Sequence, residues 1–411
     1  MKKNLLPIIL ILSTLLSYGQ SGWQQLNTGT SNRLNAVHFP DANTGYAVGI
    51  FGTIIKTTNA GVSWTALTSN TTKFLYDVYF LDADTGFVGG DNGTILKTTD
   101  GGSTWTQQIS NVPNPVNSLQ FLNANTGFAA TDYFTVLTTS NGGTTWMAHT
   151  VSSSASWFKS IYMLDASNGY VVGTSLTIMK TNDGGASWTS LKASTAGTLT
   201  DVYFFDLNNG IVIGEPGRIF KTSNGGTSWD SIPTGFNNQL NCIHFVNNTT
   251  GYITGDYGKI FRTTDGGNTW FNQASGTNEG LTCVYFTSQS TGYITGWNGV
   301  ILKTTTGGVG IDQLNNDIPD YAVLKQNHPN PFTENTIIEY DLPTEASVSL
   351  IIYDFLGREI KTLIKDQMIK EGRKKIGWDG VNKYGKKLKA GIYFYSLHIN
   401  DEVLTKRMII Q

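Results

Sequence analysis

Four acidic side chains recur at one position of a repeating pattern, and paired carboxylates can perform acid–base chemistry. They are Asp91, Asp132, Glu215 and Asp256, and each stands five residues after a glycine that marks a turn. Hydrolysis of a glycosidic bond needs two carboxyl groups about 5–10 Å apart across a sugar. The alternative is structural, because acidic residues also suit glycine-containing turns and stay solvated there.

Two tryptophans favour binding over catalysis. Trp297 occupies the same turn position in a later repeat, and Trp157 lies in a connecting loop close to Lys159. An aromatic ring exposed among neutral polar residues suits stacking on a carbohydrate or a peptide. We therefore predict Trp297, Trp157 and Lys159 as ligand-binding residues. The alternative is that both rings fold against the structure beneath them.

Three further aspartates, Asp100, Asp183 and Asp265, could hold a cation, but each belongs to a separate copy of a tight-turn motif. In such a motif the Asx side chain bonds backbone N–H groups of its own turn. We expect turn capping from these residues, with no bound metal and no cofactor.

A repeat of about 41 residues positions all of these side chains. Its signature, [ST]-x-[DN]-x-G-x-[ST]-W, is complete in six copies whose tryptophans are 41 or 42 residues apart. The Asx and tryptophan positions are Asn59 and Trp64, Asp100 and Trp105, Asn141 and Trp146, Asp183 and Trp188, Asn224 and Trp229, and Asp265 and Trp270. A turn glycine recurs at positions 45, 86, 127, 169, 210, 251 and 292. These markers predict seven copies.

Each repeat reads as four short strands separated by Gly/Asx turns, which is typical of one propeller blade. In the second repeat the predicted strands cover residues 75–80, 87–90, 94–98 and 105–109. First strands carry a polar-tipped series, including His38 and His244, which should line contacts around the hub. The predicted fold class is all-β: a seven-bladed β-propeller followed by a small Ig-like β-sandwich.

The seventh repeat is incomplete, because Thr306 and Ile311 replace the Asx and the tryptophan. Trp23 lies 41 residues before Trp64 and has no first three strands ahead of it. We predict that the strand around Trp23 forms the outer strand of the seventh blade, next to residues 299–302. A ring closed in this way leaves no large open edge for aggregation.

The N-terminus and the charge distribution indicate export. Residues 1–19 resemble a secretory signal peptide, with a basic start and an apolar core. No later apolar run approaches the roughly 20 residues needed to cross a bilayer, so we expect no transmembrane segment in the mature chain. Residues 21–310 hold 12 Lys+Arg and 16 Asp+Glu. The basic surface expected of a nucleic-acid-binding protein is missing.

Cys242 and Cys283 stand at equivalent positions of adjacent repeats. Export permits a disulfide, but equivalent positions on neighbouring strands point the same way. The sequence is compatible with a disulfide and with two small buried thiols.

Residues 311–325 interrupt the repeat and are interpreted as a linker, and residues 326–411 read as the β-sandwich. The latter resemble the C-terminal sorting domain of the type IX (Por) secretion system. The matching stretches are P-N-P-F at 329–332, I-Y-D-x-x-G-R at 352–358, W-D-G at 378–380, G-I-Y-F-Y at 391–395 and K-R-M-I-I at 406–410. Lys389-Ala390 departs from the Ser-Gly that is frequent in the family.

This resemblance implies export through the periplasm and outer membrane of a Bacteroidetes-type bacterium, with the type IX machinery as the partner of residues 326–411. The protein would be secreted or held at the cell surface. Between Arg358 and Lys389 there are eleven basic and four acidic residues. They form either a solvated face or a docking surface for the export machinery.

Residues 23–308 resemble the Asp-box (BNR) propellers, especially the photosystem II assembly and stability factor-like group. The shared pattern is T-G-Y/F-x-x-G…G-x-I-x-K-T-x-D-G-G-x-[ST]-W, within a predicted domain of residues 20–310. The resemblance implies the fold, whereas a propeller hosts many functions. A role in a photosystem fits poorly with a signal for export beyond the cell.

Asp-box propellers include sialidases and other glycoside hydrolases. A sialidase would need an arginine cluster for the substrate carboxylate, and this propeller has only Arg33, Arg218 and Arg262. We therefore predict a secreted or cell-surface protein that binds an extracellular carbohydrate or protein ligand, for adhesion or scaffolding, without chemistry. The alternative is a glycoside hydrolase that acts on polysaccharide through the four carboxylates.

Overall fold

The computed structural model describes residues 22–151, 157–191, 197–309, 322–342, 344–354, 357–399 and 402–411. The chain divides into two compact units, and the division falls between residues 309 and 310. The predicted signal peptide lies outside the described residues. Among those that are described, no helix is long and apolar enough to span a bilayer.

The N-terminal unit is a seven-bladed β-propeller, built from seven four-stranded antiparallel sheets. The inner strands are β2 (Leu34–His38), β6 (Leu75–Phe80), β10 (Val116–Phe121), β14 (Phe158–Met163), β18 (Thr198–Phe204), β22 (Leu240–Phe245) and β26 (Leu281–Phe286). The second strands are β3 (Gly45–Gly49), β7 (Gly86–Gly90), β11 (Gly127–Thr131), β15 (Gly169–Gly173), β19 (Gly210–Glu215), β23 (Gly251–Gly255) and β27 (Gly292–Gly296). Two 3-10 turns, Ile50–Gly52 and Trp297–Gly299, follow β3 and β27.

The remaining strands complete the blades on the outside. The third strands are β4 (Ile54–Thr57), β8 (Thr94–Thr98), β12 (Thr135–Thr139), β16 (Thr177–Thr181), β20 (Arg218–Thr222), β24 (Lys259–Thr263) and β28 (Ile301–Gly308). The outer strands are β5 (Thr65–Leu67), β9 (Thr106–Gln108), β13 (Met147–Thr150), β17 (Thr189–Ser190), β21 (Asp230–Ile232), β25 (Phe271–Gln273) and, for the seventh blade, β1 (Gly22–Gln25).

The ring is closed by β1, as the sequence predicts. This strand pairs antiparallel with β28, and Gln25 lies opposite Leu302. Just beyond it, the N–H of Leu26 donates to the carbonyl of Ile301 at 2.8 Å. The inner strands of neighbouring blades contact one another around the whole circle, including β26 with β2.

Trp23 fixes this closing strand in the seventh blade. Its indole is buried and lies edge-on to the rings of Tyr252 and Phe286, at centroid distances of 6.3 and 5.9 Å. The indole N–H donates to Oε1 of Gln273 at 3.1 Å. The first strand of the propeller is therefore anchored in blades six and seven, at the other end of the repeat.

The repeated glycine at the start of each second strand serves packing. A Cβ added to Gly86 would lie 2.5 Å from the ring of Phe80, and one added to Gly210 would lie 2.5 Å from the ring of Phe204. Neither glycine has a positive φ. The marker therefore belongs to the strand, where it admits the large residue of the inner strand, and the turn comes before it.

The turn between third and outer strands also joins neighbouring blades. The carbonyl of Gly101, in the Asp-box turn of blade two, accepts hydrogen bonds from Tyr46 Oη at 3.0 Å and Lys56 Nζ at 2.7 Å, both in blade one. Across the closure, Lys303 Nζ donates to the carbonyl of Ala60 at 2.7 Å. These bonds explain why a lysine recurs in the third strands.

The C-terminal unit is a β-sandwich. One sheet contains β29 (Val323–Leu324), β30 (Thr336–Leu342) and β33 (Gly372–Trp378), and the other contains β32 (Glu359–Ile369), β31 (Ala346–Asp354), β34 (Gly391–Ile399) and β35 (Glu402–Ile410). Leu350, Trp378 and Tyr395 are buried in its core. Because β29 pairs with β30, the last residues of the predicted linker 311–325 belong to the sandwich instead.

Candidate functional site

The inner strands begin around one opening of the central channel, which we call the mouth. The turns between second and third strands meet the loops that join blades at this opening, since Asp91 N–H donates to the carbonyl of Phe74 at 2.9 Å and Gly93 N–H to that of Asn114 at 2.8 Å. A cavity of about 480 Å³ occupies the mouth, and all seven blades contribute to its lining.

One side chain from each blade forms a polar ring in this lining. The seven residues are Asn35, Tyr76, Asn117, Lys159, Thr200, Asn241 and Thr282. Several of them also bond to the next blade: Asn117 Nδ2 donates to the carbonyl of Phe158 at 2.7 Å, and Thr282 Oγ1 donates to that of Leu34 at 2.6 Å. The ring thus joins the blades and presents amide and hydroxyl groups to the cavity.

The four carboxylates predicted as catalytic candidates lie in the turns at the mouth, and three of them accept hydrogen bonds from the polar ring. Asp91 accepts from Tyr76 Oη at 2.7 Å. Asp132 accepts from an amide of the ring at 2.8 Å, and Asp256 does so at 3.2 Å. Of the four, Asp132 and Glu215 line the cavity. Through these contacts, Asp91, Asp132 and Asp256 hold side chains of the polar ring in place.

Both predicted binding tryptophans are about half exposed, Trp157 at 45% and Trp297 at 46%. Each ring carries a cation: Lys159 Nζ lies 5.5 Å from the centroid of Trp157, and the guanidinium carbon of Arg33 lies 5.5 Å from that of Trp297. Lys159 also pairs with Asp132 at 3.2 Å. Trp157, Lys159 and Arg33 line the cavity, so aromatic and charged groups meet there.

Beneath the mouth, partly buried carboxylates join the inner strands. Asp77 Oδ2 accepts the N–H of Leu119 at 2.7 Å, and Asp201 Oδ2 accepts that of Ile243 at 2.8 Å. Burial raises the pKa of Asp77 to about 7 and also raises that of Asp201. Neither side chain lines the cavity, and their backbone partners give them a structural role.

His38 and His244 lie farther along the inner strands from the mouth, near the ends of β2 and β22. Burial lowers the pKa of His38 to about 3 and that of His244 to about 4. His38 Nδ1 accepts the N–H of Phe80 at 3.3 Å. A neutral imidazole that bonds the backbone of the next blade fits the predicted role at the hub.

The Asx residues of the repeat signature lie at the ends of third strands, opposite the mouth. Asp100 Oδ1 accepts the N–H of Thr104 at 2.9 Å and Oδ2 accepts its hydroxyl at 2.6 Å. These bonds, with that hydroxyl first, lower the pKa of Asp100 to about 2. Within the described part of the chain, no group of three or more His, Cys, Asp and Glu side chains could hold a metal ion.

Sequence reasoning missed two parts of the mouth. Arg33, treated only as one of too few arginines, lies against Trp297. The second part is the polar ring apart from Lys159, and each of its members directly follows a buried apolar residue at or near the start of an inner strand. Aligned at that residue, the seven repeats show a polar or polar-tipped side chain directly after a buried apolar one.

Two family models match the sequence. Residues 62–156, 109–196, 153–241 and 232–324 match the family described as photosynthesis system II assembly factor YCF48. Residues 327–411 match the secretion system C-terminal sorting domain. No curated protein matches the chain.

Solved structures share the fold at low sequence identity. YCF48 from Cyanidioschyzon merolae is 21% identical with a TM-score of 0.60, over 69% of this chain and 98% of that one. A YCF48 bound to D1 peptide is 20% identical with a TM-score of 0.60, over 69% and 97%.

PorZ, a surface component of the type-IX secretion system of Porphyromonas gingivalis, is 13% identical with a TM-score of 0.52. The similarity covers 94% of this chain and 60% of PorZ. The sorting domain directs this protein through type IX secretion to the cell surface or the extracellular space. Since the propeller model matches more than half of the sequence, the chain belongs to the photosynthesis system II assembly factor YCF48 family.

Proposed function

We propose that the propeller is a non-enzymatic binding module for adhesion or scaffolding outside the cell, and that it holds a carbohydrate or protein ligand at the mouth. The observation that carries this proposal is the pair of half-exposed, cation-bearing rings, Trp157 with Lys159 and Trp297 with Arg33. A large aromatic surface at the edge of a concave polar site is a common means of recognition.

The carboxylates at the mouth favour binding over hydrolysis. A glycoside hydrolase needs one acid free to protonate the leaving oxygen and a second carboxylate across the sugar. Here Asp91, Asp132 and Asp256 are engaged by donors of their own blades. A glycoside hydrolase remains the alternative.

The export route supports a function outside the cell. The precursor would comprise a signal peptide of residues 1–19 that is removed on export, a propeller of residues 20–310 and a sandwich whose residues 327–411 match the sorting family. PorZ, which shares the fold, is a bacterial surface component. Membership of the YCF48 family would then reflect the ancestry of the repeat.

The test combines binding with hydrolysis on the same preparation. Full-length protein is applied to a glycan array and to immobilised extracellular proteins, and incubated with glycoside substrates. We expect binding without released sugar, and at least about tenfold weaker binding in a Trp157→Ala, Trp297→Ala double variant. The control is Val62→Asn, an exposed residue in an Asp-box turn. Turnover that disappears in Asp91→Asn or Glu215→Gln would contradict the proposal.

A further inference from the structure

Exposed aromatic side chains are confined to one face of the propeller. Within residues 22–151, 157–191 and 197–309, the aromatic side chains in the exposed class are Phe51, Phe74, Tyr133, Trp157, Tyr257 and Trp297. All six lie in the turns after second strands or in the loops between blades, which meet at the mouth. On the opposite face, Val62, Met147 and Leu207 are exposed apolar side chains without an aromatic ring. Exposed aliphatic side chains occur on both faces, since Ile109 lies beside the turn of Asn92 and Gly93, so only the aromatic ones are restricted to the mouth.

Three of these rings stand where the backbone disfavours them. Phe51, Tyr133 and Tyr257 have φ values of 56°, 57° and 56°, in the left-handed region that bulky residues avoid. At the same turn position, other blades carry Asn92 and Asn298, with φ values of 54° and 53°. Asparagine tolerates this conformation far better than an aromatic residue does. A bulky exposed ring kept at a strained position is a sign of function.

We call Phe51, Tyr133 and Tyr257 the rim aromatics. Two of them extend aromatic surface toward loops between blades. Phe51 contacts Phe74 edge-on at 5.4 Å between centroids, and Tyr133 lies 6.1 Å from Trp157. Because the rings stand on blades one, three and six, a ligand that touches all of them must extend across the mouth.

The cavity carries no net charge. Its lining contains two cations, Arg33 and Lys159, and two anions, Asp132 and Glu215. The rest consists mainly of Asn, Gln, Thr and Tyr side chains, which both donate and accept hydrogen bonds. Such a lining offers no excess of either charge to a polyanion or a polycation, and it suits a ligand rich in hydroxyl groups.

We propose that the ligand is an uncharged polysaccharide, whose chain lies across the mouth and stacks its sugar faces on the rim aromatics. The apolar C–H face of a sugar covers an aromatic ring while its hydroxyl edge bonds to the amides and hydroxyls of the polar ring. This inference rests on the proposed binding function and adds the class of the ligand. It also assigns the strained rings a role that the fold does not require.

The test uses affinity electrophoresis of the full-length protein in gels that contain one polymer each. The neutral polymers are galactomannan, xyloglucan and mixed-linkage β-glucan, the anionic ones are polygalacturonate and heparin, and gelatin represents an unfolded polypeptide. We expect retardation by at least one neutral polysaccharide and by neither anionic one. Retardation by no neutral polysaccharide would overturn the inference.

The decisive variant is Phe51→Asn, Tyr133→Asn, Tyr257→Asn, which places at each turn the residue that Asn92 and Asn298 show to be compatible. We expect an unchanged or higher Tm, because strain is released, and at least about tenfold weaker retardation. The matched control, Val62→Asn with Leu207→Asn, removes exposed apolar side chains from the opposite face and should keep full retardation.

The experiments distinguish an error in the proposed ligand class from an error in the proposed binding site, because the two give different results. If the rim variant binds normally while Trp157→Ala with Trp297→Ala does not, the mouth still binds a ligand and the rim inference is wrong. Retardation by gelatin alone would likewise overturn the carbohydrate inference. Retardation that neither variant weakens would overturn both proposals.

Discussion

At the scale of single residues, polar groups at the centre of the ring bind the blades to one another. His38 bonds the backbone of blade two at 3.3 Å. Gln120, at the equivalent position of blade three, accepts the N–H of Met163 at 2.6 Å and donates to its carbonyl at 2.9 Å. Position 38 therefore tolerates an imidazole only in its neutral form, whereas a glutamine serves at any pH.

This difference predicts a pH-dependent stability. Burial lowers the pKa of His38 from 6.5 to about 3. The neutral side chain therefore contributes its full stability to the fold above the pKa that it has in the unfolded chain, and this contribution is lost as the pH falls from about 6.5 toward 3. When the pH is lowered from 7 to 4.5, the natural protein should lose stability through His38. We expect the His38→Gln variant to lose less free energy of unfolding, by on the order of 2 kcal/mol. Denaturant unfolding at both pH values measures this.

Asp77 acts in the opposite direction without disturbing the comparison. Burial raises the pKa of Asp77 to about 7, so the contribution of its protonated form to the stability of the fold is lost as the pH rises from about 4 to 7. Because Asp77 is present in both proteins, its effect cancels in the difference. Equal losses of stability in the two proteins would show that His38 does not titrate as the structure requires.

The two cysteines give a second prediction at this scale. Their sulfur atoms lie 3.7 Å apart, and the contact with Cys283, together with burial, raises the pKa of Cys242 well above its usual value. Since the thiolate is the nucleophile, iodoacetamide should modify Cys242 in the reduced, folded protein at least about tenfold more slowly than in denaturant. Mass spectrometry measures both rates. Equal rates would contradict a partly buried thiol that is engaged in a hydrogen bond.

At the scale of elements, the threonine at the start of each Asp-box turn is more regular than the Asx, because all seven repeats have the threonine and six have the Asx. Thr98 Oγ1 accepts the N–H of Gly102 at 2.8 Å. In the seventh repeat, where the Asx and the tryptophan are lost, Thr304 Oγ1 still accepts the N–H of Gly308 at 2.7 Å. The threonine bond is therefore kept where the capping Asx is absent, and Thr306, which replaces the Asx, donates its hydroxyl to the carbonyl of Val309 at 2.6 Å.

Substitution of Thr98 tests this role. Thr98→Val keeps the shape of the side chain but leaves the buried N–H of Gly102 without its acceptor, which costs about 1–3 kcal/mol. We expect Tm to fall by a few degrees. Thr98→Ser retains the hydroxyl, so the Tm of this variant should fall by less. If valine and serine gave the same Tm, the hydrogen bond would not be what stabilises the turn.

At the scale of the whole molecule, stability depends on the closure between β1 and β28. Trp23→Ala removes a buried indole that packs against Tyr252 and Phe286, and we expect a loss of about 3–5 kcal/mol. Trp23→Phe should cost less, about 1–3 kcal/mol, because it keeps an aromatic ring but removes the bond to Gln273 and part of the buried side chain. Thermal unfolding measures both.

Trp64 provides the matched control for closure. It holds the equivalent position in blade one, but its indole N–H has no hydrogen-bond partner. Trp64→Phe should therefore be less destabilising than Trp23→Phe. Deletion of residues 20–28 should destabilise the entire ring, and an unchanged Tm after that deletion would refute closure by the N-terminal strand.

The sorting domain leads to a prediction about export. A chain truncated at about residue 320 lacks the residues that match the sorting family, so we expect the propeller to accumulate in the periplasm. Fractionation of the producing cells, with the full-length chain as control, measures its location. Normal release of the truncated chain would show that export does not need the tail.

The sequence alone determined the fold to the level of the blade. The regular spacing of the Asp-box tryptophans and of the glycines fixed seven sectors, and the displaced Trp23 fixed their closure, because a repeat that cannot bury its own faces must stack on its neighbours. The sorting motifs fixed the destination. These features are local and periodic, so they can be read without coordinates.

Only the tertiary structure decided how residues from different blades combine. It placed Arg33 on Trp297, across 264 positions of sequence, and gathered the polar ring, whose members are separated by whole repeats. It also showed that Phe51, Tyr133 and Tyr257 adopt strained backbone conformations. No local pattern contains this information, because the mouth exists only once the ring has closed.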